Sequence, residues 1–304
     1  MIPKGRSIHQ RIGACIAITC VLLFSGFLQA CAPDNTIVVT GPEQTEEVVK
    51  IVYVEWASEV ASAHVVQAVI EEKLEQPCRL LPVSALAMWE AVAAGDQDAM
   101  VAAWLPSLHR EYYETHKHQV ESLGPNLENA VMGLVVPEYV DVDTIEDLHA
   151  HETAFGSRII GIDPGAGIMR RSEEMLEQYQ LTGFQLVPGS DATMTGALEK
   201  AIQNKEWIVV TGWTPHWKFA RWPLKYLEDP LNVYGTGEEI HTIVRKGLAE
   251  DNPDVYRFLD RFYWESEQME QVMLWIEEES IPPPEAARKW VKENDDQVQR
   301  WIEP

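Results

Sequence analysis

Basic side chains are scarce in this chain of 304 residues, and their scarcity narrows the field of partners. Lysine and arginine number 24 against 48 aspartates and glutamates, a formal net charge of -24. Such a chain repels phosphate backbones, which argues against nucleic acid as a partner. Cysteine is scarcer still, with four in all. Cys15 and Cys20 fall in an apolar run near the start, Cys31 follows that run, and only Cys78 remains in the body. No internal disulfide is therefore expected there, and Cys78 reads as a small core residue. The motifs of common chemistries are missing as well. His116-Lys117-His118 and His149-Ala150-His151 have no third ligand at metal spacing. Neither His-Glu-x-x-His nor Gly-x-Ser-x-Gly occurs, and spacing singles out no pair of carboxylates as acid and base. The expectation is a protein without metal or cofactor that catalyses no reaction.

The first residues read as a targeting segment. Lys4, Arg6 and Arg11 precede an apolar run from Ile12 to Leu28 that is short for a membrane span. It ends in Leu28-Gln29-Ala30-Cys31, which resembles the bacterial lipobox, where the cysteine is lipidated and becomes the new first residue. Residues 1–30 are thus expected to be a signal peptide, and residues 31–47, polar with Pro33, Gly41 and Pro42, a lipid-anchored tether. An uncleaved membrane anchor is the other reading.

The remainder alternates strand and helix patterns, which means an α/β fold with largely parallel sheets. Strands are expected at Ile51–Glu55, Leu80–Val83 and Asp98–Ala103, with helices at Ser58–Glu75 and from the cap Ser84 to Ala94. The pattern then recurs. Strands are expected at Arg158–Ile162, Phe184–Val187 and Trp207–Thr211, with helices at Ile168–Tyr179 and from the cap Asp191 to Asn204. Each pass has a methionine in its second helix (Met88, Met194) and ends on Trp-x-Pro (Trp104, Trp213) at nearly the same offset. Two similar lobes whose strand ends face each other make a cleft. A strand from Ile240 and helices at Ser266–Glu279 and Pro283–Trp301 are expected to pack back on the first lobe.

Trp56, Trp104 and Trp213 all follow expected strands, so their indoles would enter one cleft. A quaternary ammonium has no N–H to donate and is held by electron-rich ring faces, of which Trp is the best. The same positions read equally well as core tryptophans. Asp163-Pro164-Gly165-Ala166-Gly167-Ile168 joins a strand to a helix, and its glycines allow backbone N–H groups to face an anion. Arg170 replaces the third glycine of a dinucleotide fingerprint, so a small carboxylate fits better than a pyrophosphate. His109 could donate to the same carboxylate, or be structural.

Trp104-Leu105-Pro106-Ser107-Leu108-His109, Ile160–Met169 and Val210–Trp217 closely resemble the glycine-betaine-binding proteins of bacterial ABC importers, as do Ala130–Val136 and Glu238–Gly247. The resemblance runs from Ile51 to about Ile302. It implies a two-lobed periplasmic-binding-protein fold, type II-like, with the ligand in the inter-lobe cleft. It further implies that Trp56, Trp104 and Trp213 cage a trimethylammonium group while His109 and the amides of Gly167 and Ile168 take the carboxylate. The expected ligand is glycine betaine or proline betaine, and the expected partners are a membrane permease with a separate ATPase. The expected location is the cell envelope, facing the periplasm or exterior from the Cys31 anchor. Lobe 1 is expected to comprise residues 48–136 and 238–304 and lobe 2 residues 137–237, with hinges near Val136-Pro137 and Tyr234–Glu239. A sensor domain that reports betaine and an enzyme acting on a small carboxylate are the alternatives.

Overall fold

The computed structural model describes residues 48–303. The expected signal peptide, Cys31 and the tether lie outside the described residues. Within them, strands form where β-branched and apolar residues cluster. They are β1 (Val49–Tyr53), β2 (Cys78–Pro82), β3 (Ala99–Leu105), β4 (Val120–Pro137), β5 (Arg158–Ile160), β6 (Gln185–Val187), β7 (Val210–Thr214), β8 (Leu224–Tyr226) and β9 (Glu238–Arg245). All nine belong to one sheet in the order β2-β1-β3-β9-β4-β7-β5-β6, with β8 paired to β4.

Pairing is parallel inside each repeat, β2-β1-β3 in one and β6-β5-β7 in the other. The strands that join the repeats run antiparallel, so the sheet is mixed where a largely parallel one was expected. The difference arises in β4 and β9, which link the lobes. β4 pairs with β9 as far as Ala130, opposite Glu238, and with β7 from Val131, opposite Thr214. One strand, irregular in register between Leu127 and Ala130, thus carries the chain from one set of pairings to the other.

Helices cover the parallel strands. Ala57–Glu72 follows β1 and buries Val65, Val66, Val69 and Ile70 completely. Ser84 caps Ala85–Ala94 by accepting the Ala87 N–H. In the second lobe the helix Asp191–Asn204 is capped by Ser190, not Asp191. Ser190 Oγ accepts from Thr193 N at 3.2 Å while Thr193 Oγ1 accepts from Ser190 N at 2.7 Å. This frees the Asp191 carboxylate for another task.

The final segment is two helices where one was expected, Pro283–Glu293 and Asp295–Ile302. Asn294 turns its side-chain amide onto the Trp290 carbonyl at 2.9 Å and ends the first of them. Pro283–Glu293 packs on Ala57–Glu72 in the first lobe, as does Ser266–Glu277. Trp264, Trp290 and Trp301 join Phe258 and Phe262 in one aromatic cluster, so these tryptophans belong to the core. Cys78 is free and buried, and burial pushes its thiol up to about 12, which leaves it inert. No helix among the described residues is long and apolar enough to cross a membrane.

Candidate functional site

Trp104 and Trp213 are the penultimate residues of β3 and β7, and the prolines that end both Trp-x-Pro motifs follow cis peptide bonds. Trp56 is the residue before the helix Ala57–Glu72. All three line one narrow pocket between the lobes, together with His109, Gly167 and Ile168. Leu108, Ile162 and Ala166 complete its lining. Each of the six expected residues therefore lies at the same place. The indoles are almost wholly buried, at 5%, 2% and 4% exposure for Trp56, Trp104 and Trp213.

Every one of these indoles has its N–H held elsewhere, which turns ring surface rather than a donor toward the cavity. Trp56 Nε1 donates to Asp163 Oδ2 at 3.0 Å, across to the second lobe. Trp213 Nε1 donates to Ser58 Oγ at 3.1 Å, in the opposite direction. Trp104 Nε1 donates to Glu59 Oε1 at 2.7 Å. An apolar box of ring faces with no free donor suits a permanent cation and offers little to an ammonium that must donate hydrogen bonds.

The other end of the cavity is built of donors. His109 is 1% exposed, and burial, reinforced by the Arg170 guanidinium, pushes its pKa down to about 3, so the ring is neutral. Its Nδ1 accepts from the Trp104 backbone N–H at 3.2 Å and the Trp89 indole N–H at 3.4 Å. The proton accordingly resides on Nε2, and His109 is a neutral N–H donor. Glu238 fixes the turn that carries it, accepting from Ser107 N at 3.1 Å and Leu108 N at 3.2 Å. Gly167 and Ile168 are the first two residues of the helix Gly167–Gln178. Their amides have no partner inside the helix and lie at the positive end of its dipole.

Contacts between lobes surround the cavity. Arg170 donates to the Leu108 carbonyl at 3.0 Å and pairs with Glu111 at 2.9 Å, and Tyr112 Oη donates to the Gly165 carbonyl at 3.0 Å. On the far side Asp191 Oδ2 accepts the Ala57 N–H at 2.9 Å, so a second-lobe carboxylate sits at the start of a first-lobe helix. Burial opposes its charge, but His216, Lys218 and the Ala57 N–H hold the Asp191 carboxyl below the usual range. Gly167 is pressed against Leu108 so closely that a Cβ there would lie 2.5 Å from the Leu108 carbonyl oxygen.

A wider groove of about 880 Å³ opens beside Asp191 and includes Trp217 and Trp222. The Arg221 guanidinium already lies over those rings, 5.9 and 5.2 Å from their centres. Among the described residues no cluster of His, Cys, Asp or Glu could hold a metal ion. Ser58, Glu59, Trp89 and Glu238 were not singled out from the sequence. A Glu59 on the helix face shared with Ser62 and Val66 was the one available signal, a charge where periodicity places core.

Two lobes joined by crossing strands, with a pocket between them, define a two-lobed solute-binding protein. Residues 47–293 match the family model for the substrate-binding domain of the ABC-type glycine betaine transport system, and the chain belongs to that family. Over 147 residues it is 51% identical to the glycine betaine/carnitine transport binding protein GbuC of Listeria monocytogenes, covering 48% of this chain and 49% of that one. The matched stretch thus spans about half of that relative's length. The structure is similar to lactococcal OpuAC in its closed-liganded conformation with glycine betaine, at 43% identity and a TM-score of 0.80, covering 84% of this chain and 99% of that one. It is similar also to the glycine betaine/L-proline-binding protein ProX of Borrelia burgdorferi, at 36% identity and a TM-score of 0.80, covering 84% and 97%.

Proposed function

We propose that this chain captures glycine betaine, and proline betaine with it, by closing its lobes on the ligand and delivering it to a membrane permease driven by a separate ATPase. The observation that carries this reading is the bipolar cavity. Three donor-free ring faces stand at one end, and a neutral histidine N–H and two helix-start amides stand at the other. A molecule with a trimethylammonium at one end and a carboxylate at the other matches both. The sequence places the lobe boundary after residue 136; on this reading it falls six residues earlier, where β4 changes partner, giving residues 48–130 with 238–303 and residues 131–237. Closure is a hinge movement at that point and at the start of β9. The cavity is lined by rings, apolar side chains, a neutral histidine and helix-start amides, and on this reading the ligand leaves unchanged.

Choline keeps the trimethylammonium and lacks the carboxylate. It should bind at least tenfold more weakly than glycine betaine, since a lost hydrogen bond to a charged group costs about 1.5–3 kcal/mol. His109→Ala should narrow that difference. Calorimetric titration of both ligands into wild type and variant tests it, and equal affinities would remove His109, Gly167 and Ile168 from the anion site.

The proposal places the protein outside the cytoplasmic membrane on a lipid at Cys31. Cys31→Ala should then move it from the membrane fraction to the soluble fraction. A variant that stays with the membrane would favour an uncleaved anchor.

A further inference from the structure

Glu59 is a carboxylate sealed in the protein at 1% exposure, at the N–H edge of the Trp104 indole and one hydroxyl away from that of Trp213. Its Oε1 accepts the Trp104 indole N–H at 2.7 Å. Its Oε2 accepts the Ser58 hydroxyl, which in turn accepts the Trp213 indole N–H. One carboxyl group thus terminates the hydrogen-bond chains of two indoles, and among the described residues no basic side chain forms an ion pair or hydrogen bond with it. An unpaired buried carboxylate is costly unless something compensates its charge.

We propose that Glu59 is the counter-charge of the cage, making the cavity select a cation over a neutral molecule of the same shape. The inference rests on the proposed function. Two effects act together. The negative charge at the edge of the Trp104 indole attracts the ligand's cation, in surroundings where water screens little. A carboxylate that accepts an indole N–H also polarises the indole and enriches the ring face that meets the cation. Glu59 touches no ligand atom on this account and is a positioning residue acting through Trp104 and Trp213.

The charged groups around it fit this role. Burial pushes the Glu59 carboxyl up to about 7, with the Ser58 and Trp104 hydrogen bonds opposing and Asp191 adding to the rise. Asp191 is itself engaged by His216, which burial keeps neutral by pushing it down to about 4. Lys218 is fully buried, does not line the cavity, and holds its Nζ 4.5 Å from the centre of the Trp213 ring. Burial pushes Lys218 down to about 7. His109 stays neutral over the same window. As pH falls from 8 to 6 Glu59 becomes less charged and Lys218 more so, and both changes disfavour a cation. Cation affinity should therefore rise with pH from 6 to 8.

The test compares glycine betaine with 3,3-dimethylbutanoate, its carbon isostere, which has the same shape and carboxylate but no positive charge. Glu59→Gln keeps an amide oxygen to accept the Trp104 N–H and removes the charge. At pH 8 this variant should lose on the order of tenfold in affinity for glycine betaine and less than about threefold for the isostere. In wild type and in Lys218→Met, the preference for betaine should fall severalfold between pH 8 and pH 6. This second measurement keeps the test decisive if Glu59→Gln folds poorly. Equal losses for the two ligands in a folded variant, or a preference in Lys218→Met that ignores pH, would overturn the inference alone. Failure of wild type to bind glycine betaine would overturn the proposed function and this inference with it.

Discussion

Gly167→Ala should abolish tight ligand binding while leaving the ligand-free protein at least as stable as wild type. The added Cβ would lie 2.5 Å from the Leu108 carbonyl oxygen, 2.7 Å from its Cβ and 2.8 Å from its carbonyl carbon. Two of these are backbone atoms, in a turn that Glu238 pins through Ser107 and Leu108, so the neighbour has no room to give. The clash exists only between lobes, because Leu108 belongs to the first and Gly167 to the second. With the lobes apart, alanine at the first position of the helix Gly167–Gln178 is preferred to glycine by up to about 1 kcal/mol. Apparent affinity falls in proportion to the population able to close, and a loss of a hundredfold or more is expected. Calorimetry for affinity and thermal melting for stability check the pair of outcomes. Wild-type affinity in the variant would mean that the contact between Leu108 and Gly167 is not needed for binding.

The second large effect is expected at Trp213. Its ring is contributed by the second lobe and its N–H is anchored on Ser58 of the first. A cation against it therefore rewards closure as well as contact. Trp213→Ala should cost about 2–3 kcal/mol of binding, from a cation–π contribution of about 0.5–2 kcal/mol and lost apolar burial. Tyr should recover part of the loss because a ring face remains. Leu should recover none, since it supplies bulk without a quadrupole. A purely structural tryptophan would give the reverse order, with Leu tolerated best and melting temperature falling in step with affinity. Titrations and melting curves for the Ala, Leu and Tyr variants separate these patterns, and Leu binding glycine betaine as well as Tyr would remove Trp213 from the cage.

Much of this architecture is legible in the sequence because it is written twice. The strand–helix alternation and the paired Trp-x-Pro endings announce two lobes whose strand ends face one cleft, and Trp104 and Trp213 do occupy equivalent positions, next to last in β3 and β7. Strand limits drift where tertiary pairing decides them. β7 begins at Val210 rather than Trp207, because Trp207 packs on Phe155 and His151 while Val210–Thr214 pairs with β4. The point where the chain passes between lobes carries no proline or glycine, and its one local mark is Asn129, left-handed at φ 60°, beside the register shift between Leu127 and Ala130. The polar residues behind the rings were hidden for a related reason. Ser58, Asp163 and Asp191 meet Trp213, Trp56 and Ala57 only across the lobe boundary, over sequence separations that no spacing rule spans. Asp191 shows how a local rule misleads. It stands where a cap residue belongs, but Ser190 takes the cap and Asp191 serves the opposite lobe.

A structure of the protein crystallised with glycine betaine tests the central claim most directly. The trimethylammonium should rest among the faces of Trp56, Trp104 and Trp213, and the carboxylate should accept from His109 Nε2 and the amides of Gly167 and Ile168. Density for the ligand in the groove beside Trp217 and Trp222 instead, or a carboxylate turned toward the tryptophans, would contradict it.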